Sequence, residues 1–490
     1  MLEELREMLQ AVQLVPKAYE TYHPLIVDGL MFFLERLPEE RLGVIIEEQL
    51  SLAGEMDSDE RVVALLRQCP TLHKLGQVIA RDRGLPSELR ERLQRLESVP
   101  PTTEFAEVAA LIRSELGDAG GVDLANEALA EGSVAVVVPF DWPGASPGMP
   151  ARGVFKILKP HVKERLLEEL KIWTELGGYL EERSVHYGLP ALDYRDTLDG
   201  VRNLLLNEVR LDLEQERLAW AKAFYADSSD VLIPLVLPLS TPNMTAMERV
   251  DGRKVTDSGL SRDVRRRLAQ TAIEALIAKP FWNASKEPGR FHADPHAGNL
   301  FVTDDGRLAI LDWALTTELT KSQRADVVQT LIGAATLDEG QVTRSITALG
   351  RVMQEAQLHK AILEGVRQIR LGTFPGFDWF IALLDRLARN ALIYFPEETA
   401  LFRKSLLTLS GVVRDISEQS SIDDVLIRSG LKQFSGEFAG RALAPAGSRD
   451  FGSHVSNVDL LRVVSAVPLV PTRYWLETWR DLLDFSLKPL

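Results

Sequence analysis

Along residues 1–115 apolar side chains recur at three- and four-residue intervals, as at Leu42, Ile45, Ile46 and Leu50, with charged residues between them. That spacing gathers the apolar groups on one stripe and predicts a helical region, broken at Pro70, Pro86 and the Pro100-Pro101 pair. The pattern changes at 116. Gly117, Gly120 and Gly121 open a loop, and two β-rich runs follow at 134–140 and 153–158, separated by a Pro/Gly-rich segment. Helical periodicity returns over 161–225. Residues 231–239 read as a strand that Pro234 and Pro238 confine to an edge or a twist. Residues 244–252 read as a strand ending in a turn, and 260–280 as a strong helix with Asp257 or Ser258 as its N-cap. Residues 318–435 are helical by periodicity. Residues 440–456 form a Gly/Ala/Pro/Ser-rich linker or loop. Beyond it an amphipathic helix carries Tyr474, Trp475, Trp479 and Phe485. The result is a mostly helical α+β chain with expected divisions at 1–115, 116–252, 253–435 and 436–490.

Composition narrows this picture. The 490 residues are enough for several domain-sized units, and 45% hydrophobic with 26% charged residues is ordinary for a globular protein. The net charge of −15 argues against a nucleic-acid partner. One cysteine, Cys69, rules out an internal disulfide framework and reads as an ordinary buried thiol in a reducing compartment. The acidic N-terminus lacks a signal-peptide design, and no apolar run reaches the roughly 18 residues that span a bilayer. A cytoplasmic location is expected. Peripheral membrane or partner-protein contact stays open, with the C-terminal aromatic helix as its vehicle.

The chemistry concentrates at 291–315, which reads as loop, strand, turn, strand, loop. Asp304-Asp305-Gly306 is a hairpin turn, since Asp-Gly tolerates positive φ. Asp294 and Asn299 precede the hairpin and Asp312 follows it, so closing the hairpin should bring the three together. One carboxylate can orient an attacking group, while an Asn and a second Asp can hold Mg²⁺ or Mn²⁺ against nucleotide phosphates. His292-Ala293-Asp294, Asn299 and Asp312-Trp313-Ala314 keep the order and Asp-to-Asn interval of the kinase pattern H-R-D-x-x-x-x-N then D-F-G.

Upstream, Ala130-Glu131-Gly132-Ser133 feeds the first β-rich run, where small residues let backbone N–H groups approach phosphates. Lys156 interrupts the second run. A lysine buried there needs a partner, and Glu169 and Glu216 both qualify by position. Glu248 sits where a kinase hinge would bind adenine. Lys74 and Gln77 fall three apart on one helix face.

Together these stretches resemble the UbiB/ADCK (AarF-type) family of atypical kinase-like proteins. Lys74-x-Gly76-Gln77 with Arg81 and Leu85-Pro86 is similar to the family's KxGQ signature. Ala130–Ser133 stands where the family has an Ala-rich loop. Ala293-Asp294-Pro295-His296-x-Gly298-Asn299 matches its catalytic loop, and Asp312 its metal-binding Asp. The resemblance favours Glu216 as the partner of Lys156. It aligns the family's E-x-D segment with Arg210-Leu211-Asp212, with Arg in place of the first Glu. It implies a two-lobed protein-kinase-like fold with an N-terminal helical extension and C-terminal helices. It also implies ATP or ADP with Mg²⁺ as cofactors, Lys74 and Gln77 in a helix across the active site, and a link to quinone or other lipid metabolism. The expected activity is that of an ATPase, or of a phosphotransferase acting on an unidentified small-molecule or lipid acceptor, rather than a protein kinase. An aminoglycoside-phosphotransferase-like kinase and a nucleotide-binding pseudokinase scaffold are the alternatives.

Overall fold

The structure is a computed structural model describing residues 2–475, apart from 53, 55, 80–86, 95–102, 118–120, 133, 190–193, 258, 286 and 467. Ser133, Arg81, Leu85, Pro86, Pro100, Pro101, Ser258, Trp479 and Phe485 therefore lie outside the described residues. The chain divides into two compact units. The first comprises 1–220 and 234–249, the second 221–233 and 250–490.

The first unit begins with α1 (Leu2–Ala11), α2 (His23–Glu35), α3 (Glu39–Leu52), α4 (Ser58–Gln68), α5 (Pro70–Ile79), α6 (Ser87–Gln94) and α7 (Phe105–Leu116). Then come β1 (Asp123–Leu124), β2 (Ala130–Glu131), β3 (Ala135–Asp141) and β4 (Arg152–Leu158), followed by α8 (Val162–His186), α9 (Tyr194–Glu208) and α10 (Leu211–Phe224). After β5 (Val231–Leu232), which belongs to the second unit, β6 (Met244–Glu248) completes an antiparallel sheet in the order β1-β3-β4-β6, with β2 also paired to β3.

Alternation along β4 decides which face each side chain joins. Phe155 and Ile157 pack with Val136, Val138, Phe140 and α7 residues Val108 and Ile112 in one core. Leu158, on the opposite face, joins a larger core built from α1–α6, α8 and α9. Lys156 shares that second face. Because β4 is flanked by β3 and β6, the lysine stands on a central strand rather than an edge.

The second unit contains β7 (Gly252–Lys254), α11 (Arg262–Ile273), a π-helical turn at Glu274–Ala278, α12 (Lys279–Phe281), β8 (Gly289–His292), β9 (Leu300–Thr303), β10 (Leu308–Ile310) and β11 (Thr316–Leu319). Helices α13 (Lys321–Ala335), α14 (Glu339–Ala348), α15 (Glu355–Arg370), α16 (Phe377–Arg389), α17 (Glu397–Ile416), α18 (Ile422–Gly436), α19 (Phe438–Leu443) and α20 (Asn457–Ala466) follow. Two short strands, β12 (Arg351–Val352) and β13 (Ile393–Tyr394), pair within this helical region. A second sheet runs β5-β10-β9-β7, and β8 pairs separately with β11.

Several expectations change. The strand expected over 231–239 is only two residues long, because the chain leaves one unit for the other at 233/234, next to Pro234. Helix α11 starts at Arg262 with Ser261 as N-cap, accepting from the Val264 N–H at 3.4 Å, whereas Asp257 caps a turn at Gly259. The 440–456 segment is not a loose linker. Arg441, Ser453, His454 and Ser456 are buried in it, and Arg441 donates to the Val455 carbonyl at 2.9 Å. Among the described residues no helix is long and apolar enough to cross a membrane.

Candidate active site

In the second unit the site is built on two short ladders. The β9–β10 hairpin turns at Gly306, whose φ of +84° is why glycine suits the position. The β8–β11 ribbon pairs His292 with Thr316 and is extended by the Ala293 N–H donating to the Leu315 carbonyl at 3.0 Å. Asp294 leaves one strand of this ribbon and Asp312 lies just before the other. The Leu311 N–H donates to the Asn299 carbonyl at 2.8 Å, which ties the two loops together.

His292 is buried and orders both loops. Its Nδ1 accepts from the Asp294 N–H at 3.2 Å and its Nε2 lies 3.1 Å from the Leu311 carbonyl. These contacts select the neutral Nε2–H tautomer, and desolvation holds its pKa below the ordinary histidine value. The Asn299 amide donates to the Asp294 carbonyl at 3.1 Å, which leaves Oδ1 as the atom available to a cation. Asp312 is exposed with φ +53°, unusual for a residue other than glycine, and its carboxylate accepts from the Ala314 N–H at 3.2 Å. The left-handed residue of this loop is thus the aspartate itself. Trp313 fills the position behind it, 1% exposed and edge-on to His292 at 5.0 Å.

Two contacts from α17, one to Asp294 and one to His292, were not legible in the sequence. Lys404 Nζ on α17 is 3.2 Å from Oδ1, and the neighbouring Ser405 hydroxyl donates to the His292 carbonyl at 2.8 Å. Both residues lie more than 100 positions downstream, in an otherwise ordinary amphipathic helix. His296 Nε2 lies 4.0 Å from the other Asp294 oxygen.

In the first unit Lys156 Nζ donates to Glu214 Oε1 at 2.8 Å, with the Glu214 side chain only 3% exposed. This corrects the expected partner. Glu216 points to solvent from the same helix. Glu169 is fully buried elsewhere, accepting from the Thr71 N–H and hydroxyl at 2.9 and 2.7 Å and pairing with Arg41. Burial pushes the Glu169 carboxyl pKa up against those bonds. Gln215 holds the beginning of β6, donating to the Thr241 carbonyl at 2.8 Å and the Thr245 hydroxyl at 3.1 Å.

Lys74 lies in α5 and pairs with Glu208 at 2.6 Å. The Gln77 backbone belongs to α5, but its side chain lies outside the described residues. Ala130 is in strand β2, opposite Val137, rather than in a loop. Glu131 is turned inward to Lys159 at 2.6 Å, and Gly132 begins the turn into β3. Glu248 ends β6, where its carboxylate and N–H bond the Leu235 N–H and carbonyl at 3.1 and 2.8 Å, one residue before the chain passes to the second unit.

The donor set suits Mg²⁺. The amide oxygen of Asn299 and the exposed Asp312 carboxylate are hard oxygens, and Mg²⁺ ordinarily takes one or two protein oxygens plus phosphates and water. Among the described residues no group of three or more His, Cys, Asp or Glu gathers as a self-sufficient metal site.

A lysine on a central strand paired with a helix glutamate, together with an Asp–Asn loop and a following Asp at the β8–β11 ribbon and the hairpin, defines a kinase-like protein. Residues 96–346 match the ABC1 atypical kinase-like domain, and the chain belongs to that family. It is 25% identical over 268 residues to the chloroplastic Protein ACTIVITY OF BC1 COMPLEX KINASE 1 of Arabidopsis thaliana, covering 52% of this chain and 38% of that one. It is 22% identical over 384 residues to Probable protein kinase UbiB of Marinobacter nauticus, covering 73% of this chain and 66% of the relative. The chain thus spans well under half of the Arabidopsis relative and about two thirds of the bacterial one. A solved complex of a Mycobacterium tuberculosis protein with erythromycin aligns with TM-score 0.48 and 18% identity, over 69% of this chain and 86% of that one.

Proposed function

We propose that the chain is a Mg-nucleotide-dependent ATPase or phosphotransferase acting on a small-molecule or lipid-pathway acceptor rather than on protein. The observation that carries the reading is the Lys156–Glu214 pair, a mostly buried lysine aimed by a carboxylate that is itself removed from water. Lys156 steadies nucleotide phosphates, and Glu214 holds its ammonium in place. Asp294 orients the attacking hydroxyl or water, with Lys404 and His296 beside its carboxylate. Asn299 and Asp312 hold the metal, which supplies charge neutralisation on the phosphates. Ala130, Gly132 and Ser133 mark the phosphate-contacting segment, and Glu248 marks the adenine position by its place at the end of β6. Lys74 and Gln77 regulate access from α5. Support for a non-protein acceptor comes from that helix. It is tied to the kinase-like region through Lys74–Glu208 and Thr71–Glu169, so it belongs to the folded unit.

The test is calorimetry and steady-state turnover with MgATP. Wild type should bind nucleotide only with Mg²⁺ or Mn²⁺. Asp312→Asn should lose that binding, and Asp294→Asn should bind but turn over at least about a hundredfold more slowly. Absence of nucleotide binding by wild type would refute the reading.

A further inference from the structure

The segment between α12 and β8 leads directly into the catalytic strand, and its backbone carbonyls are collected by cations from α13. Arg324 is completely buried. Its Nη1 donates to the Pro280 carbonyl at 2.9 Å, and Nη2 donates to the Glu287 and Ser285 carbonyls at 3.3 and 3.5 Å. Lys321, one turn earlier, donates to the Ala284 carbonyl at 3.2 Å. Among the described residues no carboxylate forms an ion pair with Arg324. Desolvation alone lowers its pKa to about 10, and it remains far more basic than neutral pH requires. A buried guanidinium without a counter-ion is costly, and the carbonyl oxygens replace the water it has lost. The packing is close. A Cβ added at Gly289 would lie 2.6 Å from the Pro280 oxygen and 2.9 Å from Arg324 Nη1, so the first residue of β8 must be glycine for this approach.

Arg324 also sits five residues after Leu319, the last residue of β11, which pairs with Gly289. It therefore joins the two strands of the ribbon at the end opposite Asp294 and Asp312. We infer that Arg324 is a positioning residue: by gathering the Pro280, Ser285 and Glu287 carbonyls it locks the start of β8 against β11, and so sets the register in which Asp294 and Asp312 are held. The catalytic meaning of that register rests on the function proposed above; the locking itself does not.

The experiment compares the full chain as wild type, Arg324→Lys and Arg324→Met by hydrogen–deuterium exchange and by MgATP turnover. In Arg324→Met, protection over residues 289–294 and 316–319 should fall about tenfold while that of Phe105–Leu116 is unchanged. The kcat should fall and the nucleotide KM should rise, since both Asp294 and Asp312 shift, and millimolar guanidinium ion should restore part of both the protection and the turnover. Arg324→Lys should fall between, because one ammonium cannot span three carbonyls. Wild-type protection at 289–294 in folded Arg324→Met overturns the inference. So does a loss spread evenly over residues 250–475, or no recovery with guanidinium. If Arg324→Met does not fold, Arg324→Lys decides by the same exchange pattern. If wild type shows no turnover, the functional proposal fails and the exchange comparison still decides the role of Arg324.

Discussion

Glu214 and Glu216 lie on one helix, two residues apart, and that spacing turns their side chains about 200° from each other. Only one can face β4. The sequence pattern offered Glu169 and Glu216 as partners of Lys156, and the structure uses neither, because hydrogen bonds from Thr71 already occupy Glu169 and solvent surrounds Glu216. The difference is testable. Glu214→Ala leaves a mostly buried ammonium without this partner and should cost about 3–5 kcal/mol in urea unfolding, with at least tenfold weaker MgATP binding. Glu216→Ala should stay within about 0.5 kcal/mol of wild type in the same measurement. Cys69 matched its expected character as a buried thiol, with its pKa pushed up by burial. At Asp312, by contrast, the triplet Asp-Trp-Ala could not reveal that the aspartate itself takes the left-handed conformation.

Among the elements, α5 shows how a short segment is secured from outside itself. Its first turn exposes N–H groups that no intrahelical carbonyl can satisfy, and the Glu169 carboxylate from α8 takes the Thr71 N–H and hydroxyl there. Further along, Lys74 is held by Glu208 from the end of α9. Glu169→Ala removes the cap and also strips Arg41 of its buried partner. It should destabilise the first unit by about 3–5 kcal/mol, and exchange over Pro70–Ile79 should rise first. Glu169→Gln keeps an acceptor for Thr71 and should lose less. Element types were largely legible from periodicity, since the N-terminal helices, β3, β4, the β9–β10 hairpin and α13–α18 follow the apolar spacing. The exceptions were β5, the β12–β13 pair and the start of α11. A crossing between units cut β5 short, a distant strand partner made the β12–β13 pair, and α11 starts later because Asp257 caps a turn at Gly259 while Ser261 caps the helix.

At the scale of the molecule, acid stability should follow two histidines buried in the second unit. His292 and His454 both have pKa values held below the ordinary value by desolvation, His454 down to about 4. Each binds its proton more readily when unfolded. Their contribution is therefore complete above about pH 6.5 and is lost as pH falls toward the folded pKa. For His454 the loss between about pH 6.5 and 4 amounts to about 3 kcal/mol. Asp459, held near 2 by Arg449 and Ser456 against the cost of burial, adds a separate loss below about pH 4. Urea unfolding across this range should show the first decline, and His454→Gln should flatten it. A flat profile between pH 6.5 and 4 in wild type would contradict this account.

The sequence by itself determined the local features: where helices and strands fall, the Asp-Gly hairpin, and the Asp294, Asn299, Asp312 and Lys156 positions that mark a kinase-like chain. These depend on residues close together in the chain, whose spacing restricts backbone geometry. Tertiary structure alone decided which groups meet. Glu214 rather than Glu216 reaches Lys156, Glu208 reaches Lys74, Lys404 reaches Asp294, and carbonyls some forty residues upstream surround Arg324. Each of these pairings bridges a long stretch of chain, and for Lys156 and Arg324 burial chose it, because a charge taken out of water is tolerated only where an opposite charge or enough carbonyl oxygens replace the lost solvent.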